Sequence, residues 1–197
     1  MTSVPISADP TPLYVDLDGT LVEADTTLEA FVAFAKRDLR SFFLLLVWLT
    51  RGRAYAKARV SRRMPVDATL LPYRADLLQE IEAARAEGRP VILATGSHRR
   101  TAQRVARHLG LFDHVIATHR RRNLIGTVKL EHIRRHSAEG PFDYIGDSRA
   151  DVPLWRQARH AVAVGPRARP GTHRLIQTTR PPLWRALLKA IRPHQWS

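Results

Sequence analysis

The chain has no cysteine among its 197 residues. That excludes disulfides and thiolate-bound metals, and agrees with a reducing, cytoplasmic compartment. It also lacks a long hydrophobic run. The longest, Phe42–Leu49, holds eight residues, against the roughly 20 needed to cross a bilayer as a helix. Acidic residues are scarce, 18 against 32 Lys and Arg, for a net charge of +14. A balance this basic suits an anionic partner, either nucleic acid or anionic lipid. No nucleic-acid motif and no aromatic stacking pattern accompanies the charge, so nucleic acid is not expected. The histidines show no zinc-like grouping; His132 and His136, four residues apart, lack the acidic company of a metalloprotease motif and read as helix-surface residues. Residues 1–12 are polar and proline-rich without an apolar segment, so they read as a flexible lead-in rather than a signal peptide.

What is present is an alternation of strand-like and helix-like segments in a length that fits one domain with a small insertion. Leu13–Asp16, Val91–Thr95, His114–Thr118, Asp143–Gly146 and Ala161–Gly165 read as strands, the last of these ending the sheet. Helices are expected at Tyr73–Glu87, with Leu77, Leu78, Ile81 and Ala84 on one face, and at His98–Leu109, Thr127–His136 and Arg149–Ala158. Such an order implies an α/β fold: a Rossmann-like parallel sheet with helices on both faces and right-handed crossovers. No internal repeat is seen.

Asp16-Leu17-Asp18-Gly19-Thr20 follows the first strand directly. Alternate residues of an extended segment share a face, so Asp16 and Asp18 are aimed together at the carboxyl edge of the sheet, where open α/β folds hold ligands. Two carboxylates this close repel unless a cation or proton intervenes, and a hard cation such as Mg²⁺ takes oxygen ligands. A carboxylate such as Asp16 can accept a phosphoryl group as a nucleophile. A second carboxyl, Asp18, can protonate the leaving oxygen, and Lys129 with the Thr95 hydroxyl can hold phosphoryl oxygens as charge develops. Each residue also has a plain structural reading: Asp147 and Asp151 as helix-start residues, Lys129 as a solvated surface charge, Thr95-Gly96 as an ordinary strand-to-helix turn.

Taken in order, four segments resemble the motifs of the haloacid dehalogenase (HAD) superfamily, from about Leu13 to Gly165: Asp16–Thr20; Val91–Ser97, ending in Thr95-Gly96-Ser97; Lys129 after Gly126; and Phe142–Asp151, ending in Gly146-Asp147-Ser148-Arg149-Ala150-Asp151. The resemblance implies Asp16 as nucleophile and Asp18 as general acid and base. It implies phosphate contacts from Thr95, Lys129, Gly96 and the amides near Ser97. It implies Mg²⁺ held by Asp16, the backbone carbonyl of Asp18 and Asp147, with Asp151 supporting the site. HAD dehalogenases generally lack the second aspartate of the first motif, so Asp18 points to phosphate rather than halide chemistry. Ile125 departs from the pattern, standing where a basic residue is expected beside Gly126.

The expected organisation is a core of residues 13–25 and 72–170, a helical insertion at 26–71 that corresponds to a type-one HAD cap, and a basic tail at 171–197. The insertion reads as helices Leu28–Lys36, Leu39–Thr50 and Ala54–Arg63. Its apolar run, flanked by Lys36, Arg37, Arg40, Arg51 and Arg53, is either a buried helix or a membrane-surface one. The tail places Trp184, Leu187, Leu188 and Ile191 on one stripe beside Arg185, Lys189 and Arg192, an interfacial amphipathic pattern. Ile191–Trp196 resembles the segment that opens the membrane domain of UbiA-type polyprenyltransferases, which a HAD domain precedes in some bacterial proteins. These resemblances imply a Mg²⁺-dependent phosphomonoester hydrolase, peripheral at the inner membrane face, acting on a phosphorylated small molecule or a lipid-linked phosphate, with a prenyltransferase as partner. Two other readings stand beside it: a non-catalytic docking module for a prenyltransferase, and a soluble phosphatase of the phosphoserine type.

Overall fold

A computed structural model describes residues 11–119 and 122–178. The amphipathic pattern at Trp184–Arg192 and the Ile191–Trp196 segment lie outside the described residues, as do residues 1–10 of the lead-in.

Among the described residues six strands form one parallel sheet: β1 (Leu13–Val15), β2 (Val91–His98), β3 (His114–Thr118), β4 (Asp143–Gly146), β5 (Ala161–Gly165) and β6 (Arg174–Gln177). Their order is β3-β2-β1-β4-β5-β6. The chain therefore builds outward from β1 through β2 to β3, then returns to the other side of β1 with β4. That reversal opens a crevice at the carboxyl ends of β1 and β4. Pairing is in register there, with Val15 opposite Leu93 on one side and Ile145 on the other.

Helices cover both faces, as the strand periodicity requires. Leu13 and Val15 point toward α4 (Ala75–Ala86) and α5 (Arg99–Leu109), joining Leu77, Ile81, Ala102 and Val105 in one core. Tyr14 points the other way, toward α6 (Thr127–His136) and α7 (Val152–Trp155), where Ile133, Leu154 and Trp155 form a second core. Both sheet faces are thus buried, which accounts for the near-continuous apolar runs of the strands.

Between β1 and β2 stand α1 (Thr26–Lys36), α2 (Leu39–Thr50) and α3 (Arg53–Arg63). Asp25 and Asp38 cap the first two, accepting from Leu28 N at 2.9 Å and Ser41 N at 2.6 Å. The three helices share a small core of Phe34, Leu45, Trp48, Ala56 and Val60. The segments that enter and leave this insertion pair with each other antiparallel: Glu23 N donates to Pro72 O at 2.9 Å and Arg74 N to Leu21 O at 3.0 Å.

Several expectations change, among them the end of β2, which runs on to His98 rather than stopping at Thr95 and so starts α5 at Arg99. The sheet does not end at β5: Arg174–Gln177 extends it, inside the segment read as tail. Leu175 and Ile176 alone carry its apolar pattern, too short for periodicity to register. The helix expected over Arg149–Ala158 is a 3-10 turn at Arg149–Asp151 followed by the four-residue α7, because Pro153 suits only a first turn. The helix expected from Tyr73 begins at Ala75, since Tyr73 pairs with Val22 in an antiparallel bridge. The Phe42–Leu49 run is neither wholly buried nor wholly exposed. Leu45 and Trp48 face the insertion's core, while Phe42, Phe43, Leu46, Val47 and Leu49 are exposed.

Candidate active site

Asp16 follows β1 and is held by two backbone contacts. Its amide donates to Ile145 O at 2.9 Å, and its Oδ1 accepts from Leu17 N at 2.8 Å. Its Oδ2 lies 3.3 Å from Lys129 Nζ. Lys129 comes from the first turn of α6 and is buried, not the solvated surface charge of its plain reading. Its ammonium also donates to Tyr144 Oη at 2.8 Å and to Asp151 Oδ1 at 3.1 Å.

Asp151 is equally buried and does two things at once. Its Oδ1 accepts from Tyr144 Oη at 2.9 Å as well as from Lys129. Its Oδ2 accepts from Ser148 N at 3.1 Å, closing a capping box whose N-cap is Ser148 rather than Asp147. Asp147 therefore is not the cap of this turn. It sits just past β4, with Thr20 Oγ1 donating to its Oδ1 at 3.4 Å. Gly146 makes the convergence possible: a Cβ there would lie 2.8 Å from Asp151 Oδ2 and 2.7 Å from the Tyr144 ring.

Carboxylate oxygens of Asp16, Asp147 and Asp151 all lie within 4.8 Å of one another. Burial pushes Asp16 up to about 7; Lys129 pulls the other way, while Asp151, Asp147 and Asp18 add to the rise. Burial likewise works against the Lys129 ammonium, but Asp16 and Asp151 outweigh it and hold the lysine charged. One ammonium thus faces three carboxylates, and the negative charge left over is what a divalent cation neutralises. Three oxygen donors without sulfur or imidazole suit a hard ion such as Mg²⁺.

Asp18 stands apart from that trio. Its Oδ1 accepts from Thr26 N at 2.8 Å and Thr26 Oγ1 at 2.6 Å, and its Oδ2 accepts from Ser97 Oγ. Its pKa is raised, first by burial and then by Asp25, against the hydrogen bonds from Ser97 and Thr26. Ser97 Oγ also contacts Thr27 Oγ1 at 2.9 Å, and its amide donates to Thr95 Oγ1 at 3.0 Å. Thr95 and Ser97 are both buried. At Gly96 a Cβ would lie 2.9 Å from Ile125 Cγ2, so Ile125 lies against the carboxyl-terminal part of β2.

All sequence-derived site residues therefore converge on the carboxyl ends of β1, β2 and β4, in two groups: Asp16, Asp147, Asp151 and Lys129 on one side, Asp18, Thr95, Gly96 and Ser97 on the other. Four residues were not anticipated. Tyr144 orients both Lys129 and Asp151; the available signal was a tyrosine in a buried strand, which needs a hydrogen-bond partner. Thr26 fixes Asp18. Lys57 of α3 donates to Gly96 O at 2.6 Å and Asn123 Oδ1 at 3.1 Å, yet in the sequence it is one of 32 basic residues. His98 caps α5, its Nδ1 accepting from Arg100 N at 3.2 Å and contacting Ser61 Oγ at 3.1 Å.

A family model of haloacid dehalogenase-like hydrolases matches residues 13–156. The uncharacterized protein y4nM of Sinorhizobium fredii (strain NGR234) is 36% identical over 155 residues, 78% of this chain. The chain spans only 30% of that relative's length. Among solved structures, a phospho-aspartyl intermediate analogue of phosphoserine phosphatase superposes with a TM-score of 0.58 at 16% identity, covering 92% of this chain and 99% of that one. A protein of unknown function from Bordetella pertussis Tohama I gives 0.59 at 17% identity, covering 91% and 95%. At such identities the two structures speak for the fold.

Proposed function

The chain belongs to the haloacid dehalogenase-like hydrolases, and on that premise we propose that it is a Mg²⁺-dependent phosphomonoester hydrolase working through an aspartyl-phosphate on Asp16. The observation that carries this reading is the contact of Lys129 with Asp16 inside a cluster that also holds Asp147 and Asp151.

An Asp16 carboxylate oxygen attacks phosphorus, and the bond from phosphorus to the ester oxygen breaks. Asp18, poised beside Thr26 and Ser97, gives its proton to the departing oxygen. Water then attacks the phosphorus of the aspartyl-phosphate, Asp18 takes the water's proton, and inorganic phosphate leaves with Asp16 regenerated. Lys129 balances charge on the nucleophile and the transferring group, held in place by Tyr144 and Asp151. Thr95 and the Gly96–Ser97 backbone would donate to the phosphoryl oxygens. Asp16, Asp147 and the backbone carbonyl of Asp18 would hold Mg²⁺, with Asp151 supporting; the ion, when bound, offsets the negative charge of carboxylates and phosphate.

For substrate we propose a phosphate ester carried on a prenyl-type lipid, met by a protein peripheral to the cytoplasmic membrane face and working beside a prenyltransferase. The apolar outer face of α2 supports the lipid part. The prenyltransferase part rests on the resemblance of Ile191–Trp196 alone. A purely docking, non-catalytic role accords poorly with a complete acidic cluster. A soluble phosphoserine-type substrate remains the competing reading of the same chemistry.

The test is phosphate release from a panel of soluble and lipid-linked phosphomonoesters, with and without Mg²⁺. Release that requires Mg²⁺ and favours the lipid-linked members is expected. No release from any member would overturn the hydrolase reading; preference for small soluble esters would overturn the lipid one.

A further inference from the structure

Helix α2 is apolar on both faces, and among the described residues only one of the two is packed. Leu45 and Trp48 fill the insertion's core, with Trp48 stacked on Phe34 at 5.1 Å between ring centroids. The opposite face carries Phe42, Phe43, Leu46, Val47 and Leu49, with Phe43 57% and Val47 50% exposed. From Ser41 to Thr50 no side chain is charged. Among the described residues α2 packs on α1 and α3, and those two helices stand between it and the sheet. The exposed stripe is therefore the outer surface of the insertion.

The ends of the stripe are predominantly basic, with the helix-capping Asp38 the one acidic residue beside them. Arg37 and Arg40 precede it; Arg51 and Arg53 follow it; all four are exposed. At helical spacing Arg40, Phe43, Val47 and Arg51 fall on one line, i, i+3, i+7 and i+11. An apolar stripe with a basic residue at each end matches a surface that is apolar inside and anionic at its boundary. We propose that the outer face of α2 docks in the plane of an anionic lipid surface, its phenylalanines among the acyl chains and its arginines at the headgroup phosphates.

A second copy of the chain is the other candidate occupant, and the charges argue against it. In an antiparallel pairing of two α2 stripes Arg40 would meet Arg51; in a parallel one Arg40 would meet Arg40. Either arrangement sets like charges against each other at both ends. Spanning is excluded for this helix: none of the helices among the described residues is long and apolar enough to cross a membrane.

This inference deepens the lipid-borne reading of the substrate, yet its test does not depend on hydrolysis. The whole protein is sedimented with phosphatidylcholine vesicles that contain or lack phosphatidylglycerol. Two surface variants accompany it, Phe43→Ser/Val47→Ser and Arg40→Gln/Arg51→Gln, with thermal unfolding as the check that each folds. Binding to the phosphatidylglycerol vesicles is expected, weakened about tenfold or more in the serine pair even at high salt. The glutamine pair should lose about tenfold at low salt and little at high salt. Absence of wild-type binding overturns the proposal. So does equal binding by the folded serine pair, and so does light scattering that shows a dimer which the serine pair converts to monomer while vesicle binding is unchanged. Vesicle binding without any phosphatase activity would sink the hydrolase reading and leave this surface standing.

Discussion

The carboxylate of Asp18 is tethered to the first residue of the helical insertion: its Oδ1 accepts from the Thr26 amide at 2.8 Å and from the Thr26 hydroxyl at 2.6 Å. The proposed general acid is thus positioned jointly by the insertion and by β2, whose Ser97 hydroxyl donates to its Oδ2. Thr26→Val keeps the amide contact and the approximate shape but deletes the hydroxyl. A hydrogen bond to a charged group contributes roughly 1.5–3 kcal/mol, so kcat should fall about tenfold or more while KM stays nearly constant. Steady-state kinetics on a soluble ester reads both; a change in KM alone would show that Thr26 contacts substrate rather than steering Asp18.

Tyr144 hydrogen-bonds Lys129 at 2.8 Å and Asp151 at 2.9 Å in a buried setting. Tyr144→Phe removes those two contacts and leaves the direct Lys129–Asp151 pair. Stability should drop by about 1 kcal/mol or somewhat more, and turnover should fall because Lys129 loses one of the two groups that orient it. Denaturant unfolding together with kcat measures both effects. Full activity in the phenylalanine variant would mean that Asp151 alone fixes the lysine.

Removing a hard oxygen donor should show in the metal titration. Asp147→Ala is expected to raise the Mg²⁺ concentration for half-maximal activity by about tenfold or more. An unchanged titration would take Asp147 out of the proposed magnesium site.

Much of this was legible in the sequence because the site residues are local to strand ends. Asp16, Thr95, Gly96, Ser97 and Asp147 each sit in or directly after an apolar strand run, and Asp151 in the turn that follows β4, so recognising the strands placed them at one sheet edge. The bounds of α2, α6, β4 and β5 match those read from periodicity and turn residues. Tyr144, Thr26 and Lys57 were not legible as site residues, since their partners lie 7, 8 and 39 positions away and only the packing of the insertion and the β1–β4 pairing bring them in. The strand Arg174–Gln177 was missed because its edge pairing with β5, not its composition, makes it a strand.

His98 supplies a pH signature independent of the catalytic cluster. Burial, with Arg100 adding to it, pushes its pKa down to about 4 from 6.5. Between those values the unfolded chain binds a proton that the folded chain does not, so the contribution of His98 to stability is complete above about 6.5 and is lost as pH falls toward 4. His98→Asn keeps an acceptor at the N-cap of α5 but cannot titrate. Relative to that variant, the wild type should lose stability between about pH 7 and pH 4.5, read as the difference in unfolding midpoints. Parallel pH profiles would contradict this account of the buried imidazole.

The central claim is that Asp16 carries the phosphoryl group. Rapid acid quench during turnover of a phosphomonoester in Mg²⁺, followed by peptide mass spectrometry, examines it directly. A phosphoryl increment on Asp16 is expected, absent from Asp16→Asn, which should fold but release phosphate at least about 1,000-fold more slowly, on the scale of losing a covalent nucleophile. Phosphate release at the wild-type rate by Asp16→Asn, with no increment on the wild-type peptide, would contradict it.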